Sequence, residues 1–184
     1  IGNIHVQRAS WQSLFGACKR SMEKATTNFY SNIGQSGWLM NVQSIIVGAD
    51  KVAEALNDGF PCIVHCSDGW DRTSQVSATA QLLLDPYYRT IRGFGDLISK
   101  DFAAFGFQFQ KRGDGAVGKT FEKGESSPIF WQWLEVVYHL NRQFPSHFEF
   151  NEEFLLFLMN HVYSGIFGNF MFDTEENRDQ IKMK

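Results

Sequence analysis

Residues 65–73 read His65-Cys66-Ser67-Asp68-Gly69-Trp70-Asp71-Arg72-Thr73, with five residues between a cysteine and an arginine. In one tight loop these groups could carry phosphoryl transfer. A Cys66 thiolate would attack phosphorus, the loop amides from Ser67 through Trp70 to Arg72 would cradle the phosphate oxygens, and the Arg72 guanidinium would hold two of them. With three cysteines and eight arginines in the chain, chance supplies the spacing about one time in eight. The weight therefore rests on the surrounding residues. A free thiol is mostly protonated at neutral pH; the N-terminus of a following helix and the Arg72 charge would both lower its pKa. Gly69 permits the turn that points successive amides inward, and Thr73 is placed to donate its hydroxyl to the sulfur. His65 fits either a loop-orienting or a plain structural role. Breaking the ester bond also needs a proton donor. None of the four prolines sits in a Trp-Pro-Asp acid loop, so we assign the acid to Asp71, with Asp68 as runner-up. One Asp in a turn is equally a turn former. Two carboxylates oppose the binding of an anion there, which disfavours a purely structural role.

Positioning that loop requires an element on each side. Leu39, Val42, Ile45, Ile46, Ala49, Val52, Ala53 and Leu56 recur at three- and four-residue steps, predicting an amphipathic helix over 37–57 with Gly59 at its C-terminal end. The run Pro61-Cys62-Ile63-Val64-His65 is too short for a helix and predicts a buried strand. After Arg72, Val76, Ala80, Leu83 and Leu84 restore helical spacing until Asp85-Pro86. A helix is expected over 94–105, a glycine-rich loop over 107–127, and a helix opening at Ser127-Pro128 and ending near Asn141. A last helix starts near Asn151 and carries Phe154, Leu155, Leu158, Met159 and Val162. The dense aromatics of this half read as core, and the polar residues after Asp173 as a frayed end.

The 184 residues carry a net charge of −3, which argues against nucleic-acid binding through bulk electrostatics. No apolar stretch reaches the ~18 residues of a membrane span, so the chain reads as soluble and cytoplasmic. Cys62 and Cys66 on one strand would lie about 13 Å apart, too far for a disulfide. The chain opens on Ile1, inside what looks like a strand, and is expected to be a fragment of a longer protein.

The loop resembles the signature of the myotubularin phosphoinositide phosphatases. The likeness extends through Asn3-Ile4-His5-Val6, Ser36-Gly37-Trp38-Leu39, Tyr87-Tyr88-Arg89-Thr90-Ile91-Arg92-Gly93-Phe94, Ser127-Pro128-Ile129-Phe130, Arg142-Gln143-Phe144-Pro145 and Phe148-Glu149-Phe150-Asn151-Glu152. It covers nearly the whole chain. It implies an α/β cysteine-phosphatase-like fold with a central sheet, flanking helices and a helix-rich C-terminal half, with residues 1–184 forming only the C-terminal part of the catalytic domain. The activity implied is removal of the 3-phosphate from phosphatidylinositol 3-phosphate and from the 3,5-bisphosphate, without metal or cofactor. The implied partners are the lipid headgroup, an endosomal membrane met peripherally, and a like or related subunit in the full-length protein. By motif match Cys66 is the nucleophile, Arg72 the phosphate clamp and Asp71 the acid, while Asn3 lies close to the headgroup. Of two family arginines that meet a second phosphate, Arg112 occupies one position and Gln108 replaces the other. The two loop carboxylates, with no lysine, also suit a phosphate-poor lipid. The alternatives are a protein tyrosine or dual-specificity phosphatase and a non-catalytic phosphoinositide-binding scaffold.

Overall fold

The computed structural model describes residues 1–24, 27–113, 121 and 124–182. Its helices are α1 (Ile4–Glu23), α2 (Phe29–Gln35), α3 (Trp38–Asn57), α4 (Arg72–Leu84), α5 (Ile91–Ile98), α6 (Phe109–Gly113), α7 (Ile129–Gln143), α8 (Glu152–His161) and α9 (Glu175–Lys182). Helix α7 is the centre of the assembly and packs against α3, α4 and α8. From Ile129 to Asn141 it is buried except along the stripe of Glu135, Tyr138 and His139. Its Phe130 and Trp133 join Phe94, Phe102, Phe107 and Phe109 in a fully buried aromatic cluster, where Phe94 and Trp133 stack with centroids 5.2 Å apart. Burying side chains of this size contributes roughly 1.5–3 kcal/mol each. This core is the floor on which α4, and so the loop ahead of it, is mounted.

Several expected elements are present. The 37–57 periodicity is α3, and Gly59 follows it with φ +83°, the left-handed conformation that suits glycine. Asp85 ends α4 and turns its carboxylate onto the Tyr87 amide, opening the short 3-10 turn Pro86–Arg89. The 94–105 helix is α5 running on into a π-helical turn, Ser99–Ala104. Asn151 caps α8 by accepting from the Glu153 and Phe154 amides. Ser127 precedes α7 but does not cap it; its hydroxyl donates instead to the Ile4 carbonyl at 2.9 Å, tying α7 to α1.

The expected α/β architecture with a central sheet is overturned: among the described residues there is no strand. The run at 61–65 has no regular secondary structure and, apart from Val64, which packs against Ala49, Val76 and Ala80, it is open to solvent, with Ile63 92% exposed. A strand exists only through hydrogen bonds to a neighbour, and no described residue supplies one. The chain's opening is likewise not a strand: residues 1–3 are irregular and α1 starts at Ile4, where Asn3 caps it by accepting from the His5 and Val6 amides. Part of the 107–127 loop is α6, while 114–120 and 122–123 lie outside the described residues. The tail after Asp173 forms α9, held by buried Arg178, which donates to the Ala103 carbonyl at 2.7 Å.

Helix α5 contains a steric contrast suited to a stability test. A Cβ at Gly93 would sit 1.9 Å from the Tyr87 carbonyl oxygen, whereas one at Gly95 would meet nothing within 4 Å. Gly93→Ala is expected to destabilise the fold by about 1–3 kcal/mol through overpacking, and Gly95→Ala to stabilise it by roughly 0.5–1 kcal/mol. Chemical denaturation of both variants should show midpoints moving in opposite directions.

Candidate active site

The loop hangs between the exposed run at 61–65 and the start of α4. Gly69, with φ +91°, makes the reversal that returns the chain toward Cys66. The Gly69 amide donates to Cys66 Sγ at 3.2 Å. Helix α4 then begins at Arg72, with the Gln75 amide donating to the Asp71 carbonyl at 3.1 Å. The Ser74 hydroxyl donates to the Trp70 carbonyl at 2.9 Å, closing the corner from inside.

Asp71 occupies the N-cap position of α4, where an aspartate ordinarily accepts from the helix's first amides. Here it makes no such bond. Its carboxylate points away, accepting from Arg112 Nε and Nη2, both at 2.8 Å. The Arg112 and Asp71 side chains are 3% and 7% exposed, so the pair is buried. Burial opposes the Arg112 charge, but the hydrogen bonds and charge of Asp71, with Glu125 beyond, raise its pKa above the usual arginine value. Drawing the cap aside leaves the positive end of α4 to be met by some other negative group.

Cys66 is half-buried, and that burial pushes its thiol pKa up. Opposing effects win: the Thr73 hydroxyl and the amides of Thr73, Gly69 and Asp68 lower it from 9.0 to about 7. The Thr73 hydroxyl oxygen is buried and closes no conventional hydrogen bond, so the sulfur is the acceptor its proton can turn to. Arg72 folds back over the loop, donating from Nη2 to Ser67 Oγ at 2.9 Å and from Nη1 to the Ile1 carbonyl at 3.5 Å. The sequence-predicted residues Cys66, Ser67, Gly69, Arg72 and Thr73 thus share one small turn.

The other predicted residues fall in different places. Asp68 is exposed on the loop's outer side. Trp70 is half-buried, and its ring N–H is buried without a partner. Asn3 spends its side-chain oxygen on capping α1, and the neighbouring Ile1 carbonyl is what reaches Arg72. Arg112 meets the loop through its hydrogen bonds to Asp71. Among the described residues no three His, Cys, Asp or Glu side chains converge as metal ligands would. An apolar cavity of about 360 Å³ lies away from this chemistry, among Trp11, Trp131, Tyr138 and Leu155, and none of the loop residues line it.

Sequence reasoning missed the polar chain beneath the loop. Buried Gln75 donates to the Ile129 carbonyl at 2.9 Å and to Gln132 at 3.1 Å, and Gln132 donates to Gln7 at 2.6 Å. Gln7 in turn donates to the Gly2 carbonyl at 3.1 Å. The chain pins α4, α7 and α1 to one another directly under the turn. A glutamine among otherwise apolar helix positions was the available signal.

In a Cys18→Ser, Cys62→Ser background, alkylation of Cys66 by iodoacetamide should accelerate with pH along a curve whose midpoint lies near pH 7. Thiolate, the reactive form, is populated above that pKa and lost below it. Thr73→Ala should move the midpoint upward; an unmoved midpoint would remove Thr73 from the thiolate's environment.

A family model described as the myotubularin-like phosphatase domain matches residues 1–179. Over its whole length the chain is 44% identical to phosphatidylinositol-3,5-bisphosphate 3-phosphatase MTMR6 of Caenorhabditis elegans and to its counterpart in Homo sapiens, of which it covers 27% and 29%. It is 42% identical to phosphatidylinositol-3-phosphate phosphatase MTMR7 of Mus musculus, again covering 27% of that protein. The chain therefore spans less than a third of the length of these relatives. With a thiol-bearing turn at the head of α4 and the domain match running almost end to end, the chain belongs to the myotubularin-like phosphatase family.

Proposed function

We propose that the protein is a phosphoinositide 3-phosphatase acting on phosphatidylinositol 3-phosphate through a cysteinyl-phosphate intermediate, at the surface of endosomal membranes. The observation that carries this reading is the Cys66 sulfur accepting from the Gly69 amide at 3.2 Å beside the head of α4, which no side chain caps. The thiolate attacks phosphorus, forming the S–P bond as the P–O bond to the inositol breaks. Asp71 gives its proton to the departing oxygen, and Arg72 with the loop amides holds the transferring phosphoryl group. Water then attacks the phosphocysteine, releasing inorganic phosphate and the Cys66 thiolate, and its proton returns to Asp71. The relatives named for the 3-phosphate and the 3,5-bisphosphate support the substrate class.

The test is phosphate release from short-chain phosphatidylinositol 3-phosphate by the full-length protein. Cys66→Ser should abolish release; turnover at the original rate would sink the nucleophile. Asp71→Asn should slow the lipid by ~10²–10⁴-fold, the usual contribution of a general acid. An activated aryl phosphate, whose leaving group needs no proton, should be slowed far less. Equal losses on both substrates would reject Asp71 as the acid, and the same selective pattern in Asp68→Asn would move the role to Asp68.

A further inference from the structure

We infer that the open edge of the Arg89 guanidinium, at the far end of α4 from the thiol loop, is the receptor for the carboxylate of a small apolar acid. The chain leaving α4 turns back through Pro86–Arg89 and brings Arg89 under the helix's C-terminal end. There Nη1 donates to the Leu82 carbonyl at 2.6 Å and to the Leu83 carbonyl at 3.2 Å, in the last turn, where a helix leaves its carbonyls without intrahelical partners. That accounts for one corner of the guanidinium. Nε is buried and donates to nothing, and Nη2 makes no hydrogen bond to a described residue. Among the described residues no carboxylate forms an ion pair with Arg89. The nearby carboxylates are spent elsewhere, Asp85 accepting from the Tyr87 amide and Glu149 from the Ile91 amide. A half-buried cation thus stands without a counter-ion.

Beside it lies a cavity of about 220 Å³ whose other walls are Leu82, Leu83, Leu140, Phe144, Phe148 and His147. Arg89 is the one permanent charge in that lining. Nε and Nη2 form a fork of two parallel N–H groups, the same edge with which Arg112 holds the Asp71 carboxylate. A carboxylate presents two oxygens to such a fork and has none left over. A phosphate ester would turn a further charged oxygen toward leucine and phenylalanine, where nothing could hydrogen-bond it. Fork and walls together select a monocarboxylate on a short hydrocarbon body. Its binding gives the orphaned Nε an acceptor and the guanidinium a counter-charge. The site is separate from the cysteine chemistry, since the 13 residues of α4 set about 20 Å of helix between them.

The experiment is isothermal titration of the full-length protein with hexanoate, hexanamide and hexyl phosphate, with folding of every variant checked by circular dichroism. All titrations are run in an Arg72→Ala background, which removes the loop's phosphate clamp, and hexanoate is repeated on the unsubstituted protein. Hexanoate should occupy one saturable site with the same affinity in both. Hexanamide, which has the shape without the charge, and hexyl phosphate should each bind at least about tenfold more weakly. Arg89→Lys keeps the charge but lacks the fork, and should weaken hexanoate by roughly 10–100-fold, the usual worth of a hydrogen bond to a charged group. Leu83→Trp, which fills the cavity and leaves Arg89 in place, should abolish binding, and it carries the test if Arg89→Lys does not fold. The inference is overturned if hexanoate shows no saturable binding, if hexanamide or hexyl phosphate matches it, or if neither variant moves its affinity. Binding that is present in the unsubstituted protein and lost in Arg72→Ala would place the acid in the thiol loop and overturn it as well.

Discussion

A carboxylate at the head of a helix has two competing partners, the helix's own free amides and any cation within reach. In this protein the cation wins. Arg112 draws Asp71 off the end of α4 into a buried, doubly hydrogen-bonded pair, and the geometry of the loop follows. Such a pair is tolerable inside a protein only when both charges stay matched; stripping one partner typically costs about 3–5 kcal/mol. The pair therefore locks α6 to the head of α4. Through the Ser127 amide on the Arg112 carbonyl and the Ser127 hydroxyl on the Ile4 carbonyl, it locks both to the start of α1.

Beneath this lock the support is stiff for a different reason. The lower face of α4 buries Ser74, Gln75, Val76, Ala78, Thr79, Ala80 and Leu82. Its polar members bond to neighbouring helices and to nearby backbone, as in the glutamine chain to α7 and α1 and in Thr79 donating to the Gln75 carbonyl at 2.7 Å, while Gln75 Oε1 has no hydrogen-bond partner. Buried polar groups with specific partners define one arrangement where an all-apolar interface would allow several. The aromatic floor around Trp133 supplies bulk adhesion, while the glutamines supply register. A turn carried on such a base can hold its amides in place before an anion arrives, which is the condition for electrostatic catalysis.

The thiol's tuning is equally local. A chain with a net charge of −3 offers no general positive field, and the effects that lower the Cys66 pKa are a hydroxyl and three amides within the turn. Dipoles fixed at short range act without the long-range screening that salt imposes on exposed charges. A thiol pKa lowered to about 7 leaves a large thiolate fraction at neutral pH.

What could be read without coordinates was what lies close along the chain. The loop's cysteine, arginine and carboxylates lie within nine consecutive residues, the periodicities of α3, α4, α7 and α8 repeat within one or two turns, and Gly59 and Asn151 signal their helix ends in place. Each depends on neighbours a few positions away, so residue types alone determine it. The failures were mostly non-local. The apolar run at 61–65 has strand composition, but a strand is completed by a partner elsewhere, and among the described residues none pairs with it. The polar tail is ordered because Arg178 finds a carbonyl 75 positions back, whereas the start was misread locally: α1 begins at Ile4, capped by Asn3. The partner of Asp71 sits 41 positions downstream. Sequence determined which groups the loop contains; tertiary structure decided where the Asp71 carboxylate points, because only packing brings Arg112 to it.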